Sequence, residues 1–467
     1  MDESWKSGYV FKKTKEERME NRSNLQKTNP KWNLRKLPGL FLLAVLFVLG
    51  PLVLNPLAEK VYIDIGSPGA KKFPIALPAP APTADAPAAL AGKIASTLKF
   101  DLELSGLFKI LPPESYLKPG LPSGAEDFAS WRTIGAEGLV RIKYAQKDQK
   151  LSLTAEIYDP VQGLSLSGKV FTGVPESSAA LTHQLANEVV RAFTGTPGLF
   201  GSRIAYESNR GGRKEIFISD LDQTHELQIT SNRRLNLSPA WSPDGSQILY
   251  TSYLKGNPDL YRYDLRVGKS ESIAHFPGLN LGPVFSPSGK ELALTLSRDN
   301  DAEIYVQRLS SKEMTRLTSN QVIDVQPSYS PDGKKIAFTS SRAGSPQIYV
   351  MDSDGKNAAR LTFQGSYNCS PAWSPRGDRI AYTRQEGNRF SLYTIKPDGT
   401  EDTLLVGDAG SNEDPAWSPD GRLIAFATNR TGDYDIWVVN FDGSTPRALI
   451  TRKGSNETAP AWSAVSP

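Results

Sequence analysis

Cysteine is nearly missing from this chain: Cys369 is the single one in 467 residues. An intramolecular disulfide is excluded, so the fold must be held by its core. Cys369 lies two residues before Pro371 and reads as a small buried hydrophobe rather than a reactive thiol. Histidine is almost as scarce. His183, His225 and His275 show no metal-ligand spacing and read as solvated surface. The chain also lacks a G-x-S-x-G elbow, a Walker A loop, an H-E-x-x-H pair and a dinucleotide fingerprint. These absences remove the common hydrolase, nucleotide-binding and zinc-enzyme classes.

Charge of one sign is concentrated rather than abundant. The net charge is +4, but residues 1–39 hold ten Lys/Arg against five acids, which leaves −1 for the remainder. The folded part therefore gives no case for nucleic-acid binding. A charge-free apolar run stands at residues 40–54, preceded by Arg35 and Lys36. Fifteen residues are short for a membrane span of about 20 and fit the apolar region of a secretory signal. Cleavage is expected at Leu57-Ala58, with an uncleaved anchor as the alternative, and translation from Met19 would give the arm a more ordinary length. Residues 1–58 are thus read as basic arm and signal.

What the chain does have is a repeat. Trp-Ser-Pro-Asp-Gly at 241–245 recurs with small variations, its first aromatic at 241, 285, 329, 373 and 417, each step 44 residues. A truncated copy, Trp462-Ser463, follows 45 residues after the fifth. A Pro stands two residues before each aromatic, from Pro239 to Pro460. Ser-Pro-Asp-Gly is a turn, with φ set by Pro and positive φ supplied by Gly. Two strand-like segments follow in each unit, and in three units Asp-Gly signals the next hairpin (Asp354-Gly355, Asp398-Gly399, Asp442-Gly443). Four strands per unit at this period predict a β-propeller.

The ends predict how the ring closes. Arg203–Ser208, Glu215–Asp220 and Glu226–Thr230 offer three strands without an innermost one. Ala459-Pro-Ala-Trp-Ser463 offers an innermost strand without its successors. Joined, they make a sixth blade, complete a propeller over residues 199–467 and leave no open sheet edge. The repeated aromatics are expected to pack between blades as core.

Residues 59–198 follow a different pattern. Phe73–Leu77 reads as a strand, 88–104 as a helix with Leu90, Ile94, Leu98 and Leu102 at spacings of four, then three strands, then a helix over Ser177–Phe193. Gly195 and Pro197-Gly198 stop that helix and form a hinge. The fold class is mainly β: a six-bladed propeller preceded by a small α/β domain.

Candidate contact residues stand three positions before each repeat Pro: Asn236, Asn280, Asp324, Asn368, Asn412 and Glu457. Ring geometry gathers them at one mouth of the channel. Two readings stand side by side: they cap the turn into the strand, or they bind a partner. On the second reading, replacing Asn280 and Asp324 by Ala weakens binding with little loss of stability.

Repeats of this kind, following an α/β domain that begins near Lys60-Val-Tyr-Ile-Asp-Ile-Gly66, resemble the TolB family, exported components of the Tol–Pal system of Gram-negative bacteria. The resemblance covers most of the chain after the apolar run. It departs in the long basic arm and the Pro/Ala-rich stretch at 78–89. It implies a non-enzymatic periplasmic protein that links TolA, through a segment containing Val61, Tyr62, Ile63, Asp64 and Ile65, to the lipoprotein Pal at the propeller mouth. Outer-membrane integrity and cell division are the processes implied. No cofactor is expected; a channel Ca²⁺ is compatible with the resemblance, but no ligand set is legible. The rivals are a propeller enzyme acting on carbohydrate or peptide, and a scaffold of another envelope complex.

Overall fold

The computed structural model describes residues 71–83, 86–116 and 128–465. The basic arm, the apolar run and Val61, Tyr62, Ile63, Asp64 and Ile65 lie outside them.

The α/β domain is built from β1 (Phe73–Ala76), β2 (Ala81–Pro82), α1 (Ala89–Leu104), β3 (Phe108–Ile110), α2 (Phe128–Thr133), β4 (Gly138–Lys147), β5 (Lys150–Asp159), β6 (Leu164–Gly173) and α3 (Ser178–Thr194). The sheet order is β3-β1-β4-β5-β6, with β2 also paired to β4. In β5, Leu151, Leu153, Ala155 and Ile157 are fully buried at alternate positions, the period a half-covered sheet dictates. Ile94, Leu98 and Leu102 of α1 and Leu181, Leu185 and Val189 of α3 close over that layer. Gly138 is required where β4 starts. A Cβ there would stand 2.9 Å from Phe193 and 3.0 Å from Phe73. The helix α3 ends on Gly195 at φ 79°, whose N–H donates to Arg191 O at 2.9 Å.

The propeller has six antiparallel sheets of four strands each. Innermost strands are Asn236–Trp241, Asn280–Phe285, Asp324–Tyr329, Asn368–Trp373, Asn412–Trp417 and Glu457–Trp462, numbered here as blades one to six. In blade six the C-terminal strand pairs with Arg203–Ser208, Glu457 opposite Ser208 and Trp462 opposite Ile204. Glu215–Asp220 and Glu226–Gln228 complete it. The repeat turn closes as its residues require. Gly245, at φ 67°, donates to Ser242 O at 2.9 Å, and Ser242 Oγ donates to Asp244 at 2.6 Å. Aromatics do bind blade to blade: Trp417 Nε1 donates to Ala372 O at 2.9 Å and Trp241 Nε1 to Ala461 O at 3.1 Å.

One hydrophobic core runs from the α/β domain into blades five and six. It joins Leu185 and Val190 to Phe200, Tyr206, Leu423 and Ile436. Arg422 Nη2 donates to Thr196 Oγ1 at 2.8 Å, and Arg447 donates to Leu104 O, which ties blade five to the ends of α3 and α1.

Candidate functional site: one mouth of the propeller

Antiparallel pairing brings the start of the first strand, the end of the second and the start of the third to the same end of each blade. In blade one these are Asn236, Ser252 and Asp259. The loops between blades leave from this end too, so it forms one face of the ring.

Asn236, Asn280, Asp324, Asn368, Asn412 and Glu457 each begin an innermost strand, and all six are fully buried. Their polar atoms are turned inward. Asn236 Nδ2 donates to Glu215 Oε2 at 2.8 Å, and Asn368 Nδ2 to Gln347 Oε1 at 2.8 Å. Asn280 clamps its loop through Phe276, donating to its O at 2.7 Å and accepting from its N at 3.0 Å. Arginines cap three of the six. Arg342 donates to Asp324 at 2.7 Å, Arg384 to Asn368 at 2.9 Å, and Arg430 to Asn412 at 3.0 Å. Glu457 accepts from Ser208 at 2.7 Å and from Ser455 at 2.8 Å, and burial raises its pKa. The capping reading describes all six, and none offers its side chain at this surface. The paired Ala replacement would therefore cost stability, because it strips buried partners from a hydrogen-bonded layer.

The residues that do face outward are neighbours of the six. One position earlier stand Leu235, half-buried, and Leu279, Ile323 and Tyr367, all exposed, on blades one to four. Each is held in the same register by its carbonyl, which accepts from Tyr253 N, Ser297 N, Ser341 N and Gln385 N respectively at 2.9–3.1 Å. Blades five and six have Ser411 and Asn456 there, so the apolar arc covers four blades and stops. Leu254 and Phe363 extend it from adjacent loops, with Ile323 54% and Phe363 70% exposed. Exposed apolar side chains repeated on one face make this mouth the candidate interaction surface.

Two positions later stand Ser238, Gly282, Gln326, Ser370, Asp414 and Ala459, all in the left-handed region at φ 48–57°. The strand register shifts at each, a bulge that reorients the side chain. Side chains from three blades meet as a result. Gln326 Nε2 donates to Ser370 Oγ at 3.0 Å, and Ser370 Oγ to Asp414 Oδ1 at 3.1 Å. Burial, then the charges of Glu207 and Glu413, push Asp414 up to about 6. Glu207 is bound by Lys214 at 2.7 Å and accepts from Ser238 N at 2.8 Å. Among the described residues no three His, Cys, Asp or Glu side chains are placed together to hold a metal ion.

Comparison with known proteins decides the family. Residues 190–466 match the TolB beta propeller domain, and residues 61–166 match the TolB amino-terminal domain. The chain belongs to the TolB family. The crystal structure of TolB from Acinetobacter baumannii is similar at 28% identity and a TM-score of 0.74, over 84% of this chain and 97% of that one. Among curated relatives, the Tol-Pal system protein TolB of Syntrophotalea carbinolica is 39% identical over 206 residues, 43% of this chain and 48% of the relative. That of Geobacter sulfurreducens is 40% identical over 207 residues, 44% and 48% of the two chains. The chain thus spans about half the length of the curated relatives it matches.

The TolB-type ring was legible in sequence; its outward residues were missed by one and two positions. The available signal was the run Leu235, Leu279, Ile323, Tyr367 at steps of 44, an apolar residue repeated before a polar one. The histidine reading also needs correction. His183 is largely buried, its side chain 13% exposed, with Nδ1 2.8 Å from Asp101. Cys369 is half-buried, and burial pushes its thiol up to about 12.

Proposed function

We propose that this chain is a non-enzymatic periplasmic component of the Tol–Pal system that binds Pal at the propeller mouth and TolA through the segment around Val61–Ile65. Family membership and the names of its relatives support the system. The observation that favours the mouth is the apolar arc of Leu235, Leu279, Ile323 and Tyr367 beside a polar channel rim. A protein partner suits that arrangement, since an apolar patch edged by polar groups excludes water on docking. The six buried Asn, Asp and Glu residues serve the site indirectly, by holding the loops that present the arc. TolA binding rests on the family resemblance alone. Outer-membrane integrity and a part in division follow from the same system.

Purified chain titrated against Pal tests the reading. Ile323→Glu should weaken binding at least about tenfold, as expected for a central apolar contact, with an unchanged melting temperature because the side chain is exposed. Unaltered affinity would move the contact to another face, and no binding of the wild type would remove Pal as the partner. Export is tested separately. N-terminal sequencing of native material should find a start near Glu59, and an intact basic arm in the membrane fraction would show a retained anchor.

A further inference from the structure

The α/β domain and blade six enclose a cavity of about 340 Å³, lined among others by Asp101 of α1, His183 of α3, Arg203, Asp220 and His225. His183 stands between carboxylates of both domains. Its Nδ1 is 2.8 Å from Asp101 Oδ2, and its Nε2 is 3.9 Å from Asp222 Oδ2, in the propeller turn after Glu215–Asp220. The Asp222 side chain is only 10% exposed and also accepts from Thr224 N at 3.0 Å.

We propose that His183 is a proton-operated latch between the α/β domain and blade six. As imidazolium it donates to Asp101 within its own domain and attracts Asp222 across the cavity. As a neutral ring it keeps the Asp101 bond through Nδ1–H and turns the Nε2 lone pair toward the Asp222 carboxylate, which replaces attraction by repulsion.

The surroundings set the direction. Burial works against the imidazolium, but the Asp101 hydrogen bond and the charges of Asp101, Asp222 and Asp220 outweigh it and hold the ring above its ordinary value. Burial pushes Asp101 up to about 6 against the pull of His183. Of the other charged groups lining the cavity, Asp220 is paired with the exposed His225 at 2.9 Å, and Arg203 and Glu176 complete the set. A group whose pKa is raised on folding stabilises the folded arrangement below its unfolded pKa and ceases to do so as pH rises through the folded value. The latch is therefore closed while His183 is protonated and opens as pH climbs through its raised value. The shared core and the Arg422–Thr196 bond involve no histidine or carboxylate, so the domains stay joined while the turn at 221–225 loosens.

Hydrogen exchange on the full chain at pH 6 and pH 8.5, corrected for intrinsic rates, reads the latch. Amides of 221–225 should lose protection by about three- to fivefold at the higher pH, the size a partly exposed ion pair commands, while the body of α3 stays constant. Asp222→Asn retains the turn acceptor, removes the charge and should level the difference. A wild type indifferent to pH, or an Asp222→Asn chain that keeps the full difference, overturns the latch. Selective histidine labelling gives a second readout, since only three rings report. The signal that His183→Gln removes should titrate above 6.5 and move down in Asp222→Asn. A midpoint that does not move overturns the proposal.

Discussion

Blades one to five are each one continuous stretch of chain, whereas blade six is stitched from both ends of the described propeller. The backbone hardly registers the difference. Glu457 opposes Ser208 as Asn412 opposes Thr428, and the same register shift follows in both. Strand pairing asks only for edge complementarity, so a chain break between strands leaves the ladder intact. What differs is topology: in blade six the ladder joins residues about 250 positions apart, so it alone carries the closure of the ring.

Removing Ala459–Pro467 tests that contrast most severely. The truncation takes most of an innermost strand together with the following Ser463, whose Oγ accepts from Arg203 N at 2.8 Å, and leaves an open edge. Thermal unfolding should show cooperative loss of the whole propeller. A truncated chain that melts like the intact one would mean that blade six is not needed for closure.

Equivalent positions with different residues sharpen the comparison at smaller cost. Asp414 of blade five stands where blade one has Ser238 and blade six Ala459. Its pKa, raised to about 6, makes its ionised form unfavourable in the folded ring. That group favours folding below its unfolded value near 3.8, and the benefit is lost as pH rises through about 6. Asp414→Asn should therefore stabilise at pH 8 by about 1–2 kcal/mol and have little effect at pH 4. Urea titrations at the two pH values measure it, and an equal effect at both would remove the electrostatic explanation.

The smallest effect is expected where blades three and four differ. Gln347 and Asn368 are joined by an amide N–H at 2.8 Å. The corresponding Glu303 and Asp324 are both carboxylates, each fully buried with one oxygen lacking a hydrogen-bond partner, Oε2 and Oδ1. Arg316 and Arg342 hold their other oxygens at 3.0 and 2.7 Å. Asp324→Asn supplies the missing donor and keeps an acceptor for Arg342, as Asn412 does for Arg430. It should raise stability by about 0.5–1.5 kcal/mol. A fall in melting temperature would show that the Arg342 charge pair outweighs the unpaired oxygens.

Legibility varied with how local the cause was. The helices α1 and α3 were within a residue of their expected bounds because each presents an apolar stripe over several turns. Strand β3 and helix α2, three and six residues long, passed unnoticed, since so few positions cannot establish a period. His183 was misread because Asp101 lies 82 residues away, on another helix.

By itself the sequence determined blade number, four strands per blade and the shared sixth blade. Each repeat carries its own turn chemistry, and the missing first strand at one end matches the spare one at the other. Tertiary structure alone decided which of three nearby positions at the start of the innermost strand is buried, which faces outward and which meets the next blade. A left-handed bulge at Ser238 and its equivalents breaks the two-residue alternation on which such a choice would rest. Position in the chain then no longer tells direction in space, because that direction depends on the hydrogen bonds that hold each loop in place.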